Sequence, residues 1–200
     1  MMRRQTTTQV REIAATPASR RLALYLAAAT TFAALTALGA RLQFHLPFTP
    51  VPVTGQVFCV LFAGAALGPR LGFLSQIEYL AAGAAGLPVF AYGGGPAALL
   101  GPTGGYLAAF PIAALVVGAL AYRGQTPGRA KLFSACLCGV AVIYSFGAAW
   151  FAVWRLAAGT GANLLSVLAQ SVFPFVGVDI VKAALAAALA PSIRRATSIV

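Results

Sequence analysis

The chain has 200 residues, of which 60% are apolar and 8% charged, and its formal net charge is +11. A soluble domain needs about a quarter of its residues charged, so this composition excludes a soluble fold, a disordered chain and a coiled coil, and it predicts an integral membrane protein. The three cysteines lie inside apolar segments, which excludes a disulfide framework and indicates that they are packing residues.

Six apolar segments follow an Arg-rich N-terminal segment, residues 1–21. A membrane-spanning helix needs about 20 apolar residues, and the candidate segments are 22–40, 53–67, 71 to about 86, 104–122, 131–153 and about 174 to 190. We therefore predict an all-α integral membrane protein whose six transmembrane helices form one domain, residues 22–190, followed by a tail, residues 191–200. Pro174 is expected in the first turn of the last helix, and Pro191 is expected to end it.

The first three segments leave alternatives open. The second and third would reach only about 22–24 Å as helices, less than the ~30 Å hydrocarbon core, so they either gain flanking residues or pack as a hairpin that does not fully cross. The first could be a cleaved signal peptide, but Leu38 is a poor residue three positions before a cleavage point, and further apolar segments follow.

The basic residues are unevenly divided between the two sides of a six-helix arrangement. One side receives Arg3, Arg4, Arg11, Arg20, Arg21, Arg70, Arg123, Arg129, Lys131, Arg194 and Arg195. The other side receives Arg41 and Arg155, while Lys182 lies within the last segment. Because cytoplasmic loops carry an excess of Lys and Arg, both termini are predicted to be cytoplasmic, and Trp150 and Trp154 then lie at the outer interface. The charge therefore indicates topology, and no nucleic-acid partner is expected without a solvated basic face that carries stacking aromatic residues.

Few ionisable side chains lie inside the apolar segments, where a charge costs about 2.5–3.5 kcal/mol and usually faces a cavity or a partner. Asp179 and Lys182 are three positions apart on one helix face and lie roughly 8–12 Å from the outer end of the helix. They could hold a compact polar solute, with the Asp as acceptor and the Lys as donor, or they could only neutralise each other and fix the helix against a neighbour. Glu78 could equally have a functional role or a structural one, in which it is hydrogen-bonded internally or lies at a helix contact.

Two outer loops, residues 44–54 and 87–95, combine rigid turns, glycines and aromatic side chains. Phe90 and Tyr92 could cover an apolar ligand surface, and the glycines permit close approach to a ligand, although both loops could be simple connections. The lone histidine, His45, is interpreted as a surface residue and no metal site is predicted. The chain contains neither a phosphate-binding G-x-x-x-x-G-K-[ST] motif nor an acid–base or nucleophile constellation in its spans, so binding is favoured over catalysis and no cofactor is expected.

Small residues recur at intervals of four along the first predicted helix, at Ala29, Ala33 and Ala37, and therefore form one stripe. Such a stripe lets a second helix come close in lipid. In a chain this rich in alanine the spacing also arises by chance, so the stripe hints at a membrane partner without establishing one.

Several motifs occur in one order along residues 22–190. They are Pro50-Val51-Pro52-Val53-Thr54-x-Gln56, Leu67-Gly68-Pro69-Arg70-x-Gly72, Tyr79-Leu80-x-x-Gly83-x-x-Gly86-Leu87-Pro88-Val89-Phe90, Leu100-Gly101-Pro102-Thr103-Gly104-Gly105-Tyr106 and Asp179-x-x-Lys182. Together they resemble the BioY family, the biotin-binding S components of energy-coupling factor (ECF) transporters. Gly55, where a larger apolar residue is more usual, and the intramembrane Glu78 depart from the family pattern.

The resemblance implies a six-helix S-component fold in the prokaryotic cell membrane, with biotin bound on the outer side beneath the first and third loops. The residues expected to contact biotin, all in or beside these motifs, are Gln56, Tyr79, Phe90, Tyr92, Gly93, Asp179 and Lys182. The implied partners are a transmembrane coupling protein and two ATP-binding-cassette ATPases, with Ala29, Ala33 and Ala37 on the docking side. The chain would then take up biotin without being an enzyme, and only its partners would use ATP.

Three other interpretations stay open. The chain could be an S component for another vitamin, or a structural or assembly protein in which residues 179 and 182 only lock helices together. An intramembrane enzyme would need Glu78 and Asp179 to converge in one wet cavity. The sequence does not settle which end of biotin meets which member of the pair.

Overall fold

The structure, a computed structural model, describes residues 17–123 and 127–197. Within these ranges the chain forms eight helices: α1 (Pro17–Arg41), α2 (Gln56–Leu67), α3 (Pro69–Ala84), α4 (Pro96–Leu100), α5 (Gly104–Ala121), α6 (Arg129–Ala157), α7 (Leu164–Ser171) and α8 (Val176–Thr197). A helix therefore occupies each of the six predicted segments, while α4 and α7 are short helices in the connections. Arg3, Arg4 and Arg11, which contribute to the predicted topology, lie outside the described residues.

In the described part of the chain, four helices are long and apolar enough to cross a bilayer: Ser19–Arg41, Gly104–Ala121, Arg129–Ala157 and Val176–Arg194. Helices α2 and α3 have 12 and 16 residues and extend only about 18 and 24 Å at 1.5 Å per residue. Most side chains of α2 are buried, and this helix packs against α1, α3, α5, α6 and α8. The apolar character of α2 therefore reflects a central position in the bundle, where its length does not have to match the bilayer.

The turn between α2 and α3 is set by Gly68 and Pro69. Gly68 has a φ of 79°, in the left-handed region that glycine adopts readily, and Pro69 opens α3, where its missing N–H leaves no helical hydrogen bond unmade. A Cβ built at Gly118 of α5 would lie 2.3 Å from the Pro69 nitrogen. The predicted turn is confirmed, and it packs directly against the backbone of α5.

Both predicted ends of the last helix are wrong. Helix α8 begins at Val176 because Pro174 lies in the turn at residues 172–175, which links α7 to α8. Pro191 lies inside α8 and does not end it, just as α5 continues through Pro111. Proline removes one hydrogen bond to the preceding turn, and neighbouring helices in a membrane bundle compensate for that loss.

The all-α prediction misses a small β-hairpin in the first outer loop. Strands β1 (Gln43–Phe44) and β2 (Val53–Thr54) pair antiparallel, with Gln43 opposite Thr54. The prolines of the intervening loop lack the N–H groups that a longer ladder would need. The hairpin returns the chain to the start of α2 and holds residues 51–54 in a defined position.

The two ends of the bundle carry different polar groups. At one end, Tyr122 donates a hydrogen bond to the carbonyl of Ala65, and the Arg194 guanidinium lies 3.6 Å from the centroid of the Tyr122 ring. The basic residues at the starts of α3 and α6 belong to this end. At the other end, Arg41 at the end of α1 donates to the carbonyl of Pro88 in the third outer loop, residues 87–95, which is the third of the loops between the longer helices in chain order. The bundle therefore has a basic end and an end formed by the loops.

Candidate ligand-binding site

A cleft with about 540 Å³ of empty space, partly open to solvent, lies at the loop end of the bundle among α2, α5, α6 and α8. Its polar lining consists of Thr54, Gln56, Thr103, Tyr106, Tyr144, Asp179 and Lys182. Its apolar lining consists of Val51, Pro52, Val53, Val57, Ala91, Leu107, Ile143 and Phe175. Most of the lining surface is nevertheless apolar, and an apolar cleft on which polar groups converge is typical of a small-molecule site.

Asp179 and Lys182 form a buried ion pair in the wall of this cleft. The Nζ of Lys182 lies 2.6 Å from Oδ1 of Asp179, and the exposed fractions of the two side chains are 13% and 3%. Their predicted position on one helix face is therefore confirmed. Taking two charges out of water costs several kcal/mol per ion unless further hydrogen bonds satisfy them, so this pair is an energetically expensive feature, and it borders a cleft.

Tyr144 of α6 completes the polar network, and sequence reasoning missed it. Its O–H donates to Oδ2 of Asp179 at 2.8 Å, so each carboxylate oxygen accepts one hydrogen bond from the protein. A carboxylate has about four acceptor sites and an ammonium has three donors, so both members of the pair keep about two unused sites for a ligand. Tyr144 is neither charged at neutral pH nor part of the family motifs, so the hydroxyl of a tyrosine in an apolar helix was the signal available.

Tyr106 joins three helices beside the pair. Its O–H donates to the carbonyl of Ser171 at the end of α7 at 2.5 Å. Its ring fits against Gly147 of α6, where a Cβ would lie 2.3 Å from the ring. The close approach of α5 and α6 at this glycine fixes the wall of the cleft that carries Tyr106.

Gln56 lines the cleft, whereas Tyr79 and Phe90 are absent from its lining. Each of these two side chains is 1% exposed, and their rings meet edge to face with centroids 5.4 Å apart. Phe90 packs over Gly83, where a Cβ would lie 2.0 Å from the Phe90 ring. In this structure Phe90 anchors the third outer loop to α3, and direct contact of Tyr79 or Phe90 with a ligand stays a prediction.

Tyr92 and Gly93 are absent from the cleft lining, whereas their neighbour Ala91 is part of it. Tyr92 is 47% exposed, and its O–H donates to the carbonyl of Pro50 in the first outer loop. Burial raises the pKa of the Tyr92 phenol above its ordinary value. Gly93 has a φ of 102°, a backbone conformation that favours glycine. The two outer loops are therefore tied together beside the cleft.

The first outer loop is also tied to α7. Thr49 Oγ1 donates to the carbonyl of Gln170 at 2.6 Å and accepts from the backbone N–H of Val51 at 3.1 Å. Side-chain hydrogen bonds thus hold this loop to α7 and, through Tyr92, to the third outer loop. Residues 51–54 form one wall of the cleft.

The alanine stripe predicted for partner docking faces partly into the protein. Ala29 is 1% exposed, and Ala33 and Ala37 are half-buried. Helix α1 packs against α2 and α3. Docking through this stripe stays a prediction, and Ala29 offers no exposed surface for it in this conformation.

Glu78 lies away from the cleft. It accepts a hydrogen bond from Thr30 at 3.0 Å, which links α3 to α1, and it is absent from the cleft lining. Glu78 and Asp179 therefore do not converge in one cavity, as an intramembrane enzyme would require. Among the described residues, no group of three or more His, Cys, Asp or Glu side chains could hold a metal ion.

Comparisons with known proteins agree with the motifs. The model of the BioY family matches residues 6–199. The chain is 47% identical over 161 residues to a probable biotin transporter BioY of Pyrococcus horikoshii, covering 80% of this chain and 89% of that protein. It is 34% identical over 165 residues to the biotin transporter BioY of Thermotoga maritima, covering 82% of this chain and 92% of that protein.

A solved structure is also similar to the helix arrangement. The crystal structure of an S-component for biotin from an ECF-type ABC transporter superposes with a TM-score of 0.78 at 27% sequence identity, covering 88% of this chain and 93% of that chain. The helix arrangement therefore matches the S-component fold. With the family model matching nearly its whole length, the chain belongs to the BioY family.

Proposed function

We propose that the chain is the biotin-binding S component of an ECF-type transporter, which captures biotin at the outer face of the cell membrane and delivers it inward. The observation that carries the proposal is the buried pair of Asp179 and Lys182, held with Tyr144 in the wall of an apolar cleft. The likeness to proteins named as biotin transporters supports it. The chain is a member of a transporter family and is not an enzyme.

The chemistry of the cleft suits biotin. Biotin's ureido group offers two N–H donors and one carbonyl acceptor, its side chain ends in a carboxylate, and the rest of the molecule is apolar. Asp179 has unused acceptor sites for an N–H, and Lys182 has unused donors for a carbonyl or carboxylate oxygen. The apolar ring and chain would lie against side chains such as Ile143 and Phe175, which line the cleft.

The difference between the two ends of the bundle supports an orientation in the membrane. Basic residues are concentrated at the end opposite the cleft, and cytoplasmic ends of membrane proteins carry such an excess. The protein is a multi-pass membrane protein, and we place the cleft at the outer face, both termini in the cytoplasm and all six longer helices in the membrane. The centrally packed α2 and its partner α3 would reach the two surfaces only with help from their flanking loops.

Delivery to the inside requires partners. A transmembrane coupling protein and two ABC-type ATPase subunits would supply this step, and ATP would be used by those subunits alone. The half-buried surface at Ala33 and Ala37 of α1 would form part of the docking face, since small residues permit close helix contact in lipid. Uptake of labelled biotin into vesicles with and without the coupling module and ATP measures whether the chain depends on these partners.

The binding step is tested by thermal unfolding of the purified chain in detergent with and without excess biotin. A ligand that binds only the folded state stabilises it by about 2.7 kcal/mol at a hundredfold excess over Kd. We expect an upward shift of Tm for the wild type that is lost in Asp179→Asn and Lys182→Ala. Glu78→Gln is the matched control because it makes the same kind of change outside the cleft, and it should keep the shift.

Two results would contradict the proposal. A folded wild type without any shift would exclude biotin and lead to tests of other vitamins. A shift of normal size in both cleft variants would place biotin elsewhere on the protein.

A further inference from the structure

Gln56 connects the cleft to the third outer loop through a relay of hydrogen bonds. It is the first residue of α2, it lines the cleft, and it is 4% exposed. Its Nε2 donates to the hydroxyl of Tyr79 at 2.5 Å. The Tyr79 hydroxyl donates in turn to the backbone carbonyl of Val89 at 3.2 Å.

The last member of the relay fixes its direction. A backbone carbonyl only accepts hydrogen bonds, so the single proton of the Tyr79 hydroxyl is committed to Val89. The Tyr79 oxygen is then an acceptor toward Gln56, and only the NH₂ group of the glutamine can satisfy it. A glutamine side-chain amide has two orientations that differ by half a turn, and this network selects one of them.

The selected orientation leaves the carbonyl oxygen of Gln56 for the cleft. No hydrogen-bond donor in the described residues reaches its Oε1. This oxygen is not fully buried. Because Gln56 lines the cleft, this oxygen is an oriented acceptor that retains accessible surface there.

Resting on the proposed function, we infer that Gln56 accepts a hydrogen bond from one N–H of the bound ligand and that Tyr79 is a positioning residue that holds its amide. A cyclic urea carries two N–H groups on opposite sides of its carbonyl, and recognition of both requires two acceptors. Asp179 supplies one acceptor with unused capacity, and Gln56 supplies the second. A ligand that lacks the second N–H leaves Oε1 of Gln56 unpaired, which lowers its affinity.

The role of Tyr79 can be separated from its packing. Its ring lies edge to face with Phe90 at a centroid distance of 5.4 Å and is stacked on Phe110 at 6.3 Å. Tyr79→Phe therefore keeps the ring contacts and removes only the oxygen that orients Gln56. Gln56→Met keeps the approximate length of the side chain and removes both the donor and the acceptor.

The experiment measures Kd for the full chain in detergent with three ligands: biotin, and biotin methylated on one or the other ureido nitrogen. Gln56→Met and Tyr79→Phe should each weaken biotin binding about tenfold, the effect of one lost hydrogen bond. For one of the two methylated ligands, the affinity penalty relative to biotin should shrink by a similar factor in both variants, because the bond that the methyl group removes is already absent.

A control variant makes the same chemical change elsewhere. Tyr122→Phe also removes a hydroxyl that donates to a backbone carbonyl, at the basic end of the bundle, and it should keep wild-type affinities for all three ligands. If Gln56→Met and Tyr79→Phe both keep the wild-type affinity penalty for both methylated ligands, Gln56 does not contact a ligand N–H. This inference is then overturned, even if the affinity for biotin falls. A folded wild type that does not bind biotin would overturn the proposed function as well.

Discussion

The buried ion pair predicts a large loss of stability for each single substitution and almost none for the double substitution. Lys182→Met leaves the Asp179 carboxylate, whose side chain is 3% exposed, with the hydroxyl of Tyr144 as its remaining side-chain partner in the described residues. Removal of one member of a buried pair costs about 3–5 kcal/mol because the other charge stays buried without compensation. Asp179→Leu strands Lys182, whose side chain is 13% exposed, and should lie near the lower end of that range.

The double variant should recover most of this loss. Replacement of a buried ion pair by apolar residues of similar size is often neutral or stabilising by about 1–4 kcal/mol. Here Tyr144 loses its acceptor at the same time, which costs about 1–3 kcal/mol if its hydroxyl finds no other partner. The two terms nearly cancel, so Asp179→Leu combined with Lys182→Met should be about as stable as the wild type.

Thermal unfolding of the ligand-free protein in detergent measures these differences. For a chain of this size 1 kcal/mol corresponds to about 2–4 °C, so Lys182→Met should lower Tm by about 6–20 °C and the double variant by no more than a few degrees. Losses that simply add in the double variant would refute the coupling between the two side chains. A double variant that is stable but does not bind biotin would separate a ligand site from a mere helix lock.

Two further substitutions test the walls of the site. Gly83→Ala should lower Tm by several degrees, since a Cβ there would lie 2.0 Å from the Phe90 ring and overpacking costs about 1–3 kcal/mol. Gly128→Ala is the control, because no atom lies within 4 Å of the new Cβ. Equal Tm values for the two variants would contradict the packing of Phe90 on Gly83. Tyr144→Phe should weaken biotin binding about tenfold because Asp179 loses the donor at 2.8 Å. Equilibrium binding measures this change in Kd, and an unchanged Kd would show that the hydroxyl does not orient the carboxylate.

Much of the helical framework is readable from the sequence because it depends on local chemistry. Apolar segments between polar connections predicted the six longer helices, and Gly68 followed by Pro69 predicted the turn between α2 and α3. The spacing of Asp179 and Lys182 predicted their common face, since an i,i+3 pair on a helix is a local relation. None of these inferences needed knowledge of which helices are neighbours.

Features that depend on tertiary neighbours were missed. Pro191 was expected to end the last helix, but a helix in a packed bundle continues through a proline when its surroundings compensate for one lost hydrogen bond. Tyr144 was overlooked because its importance comes from Asp179, a residue on a different helix. The pairing of β1 with β2 depends on the geometry of the loop between them, and the prolines of that loop are not typical of a hairpin sequence.

A family resemblance names residues without assigning each one to the surface or the interior of a wall. Gln56 and Tyr79 occur in two separate motifs and were expected to do the same thing. The structure places Gln56 in the lining of the cleft and Tyr79 behind it, joined by a hydrogen bond of 2.5 Å. A buried tyrosine of this kind affects binding through the orientation of another side chain, so its loss should alter ligand selectivity more than the shape of the cleft. Substitutions in such a motif are therefore best compared across several ligands, because affinity for one ligand does not distinguish a contact from its support.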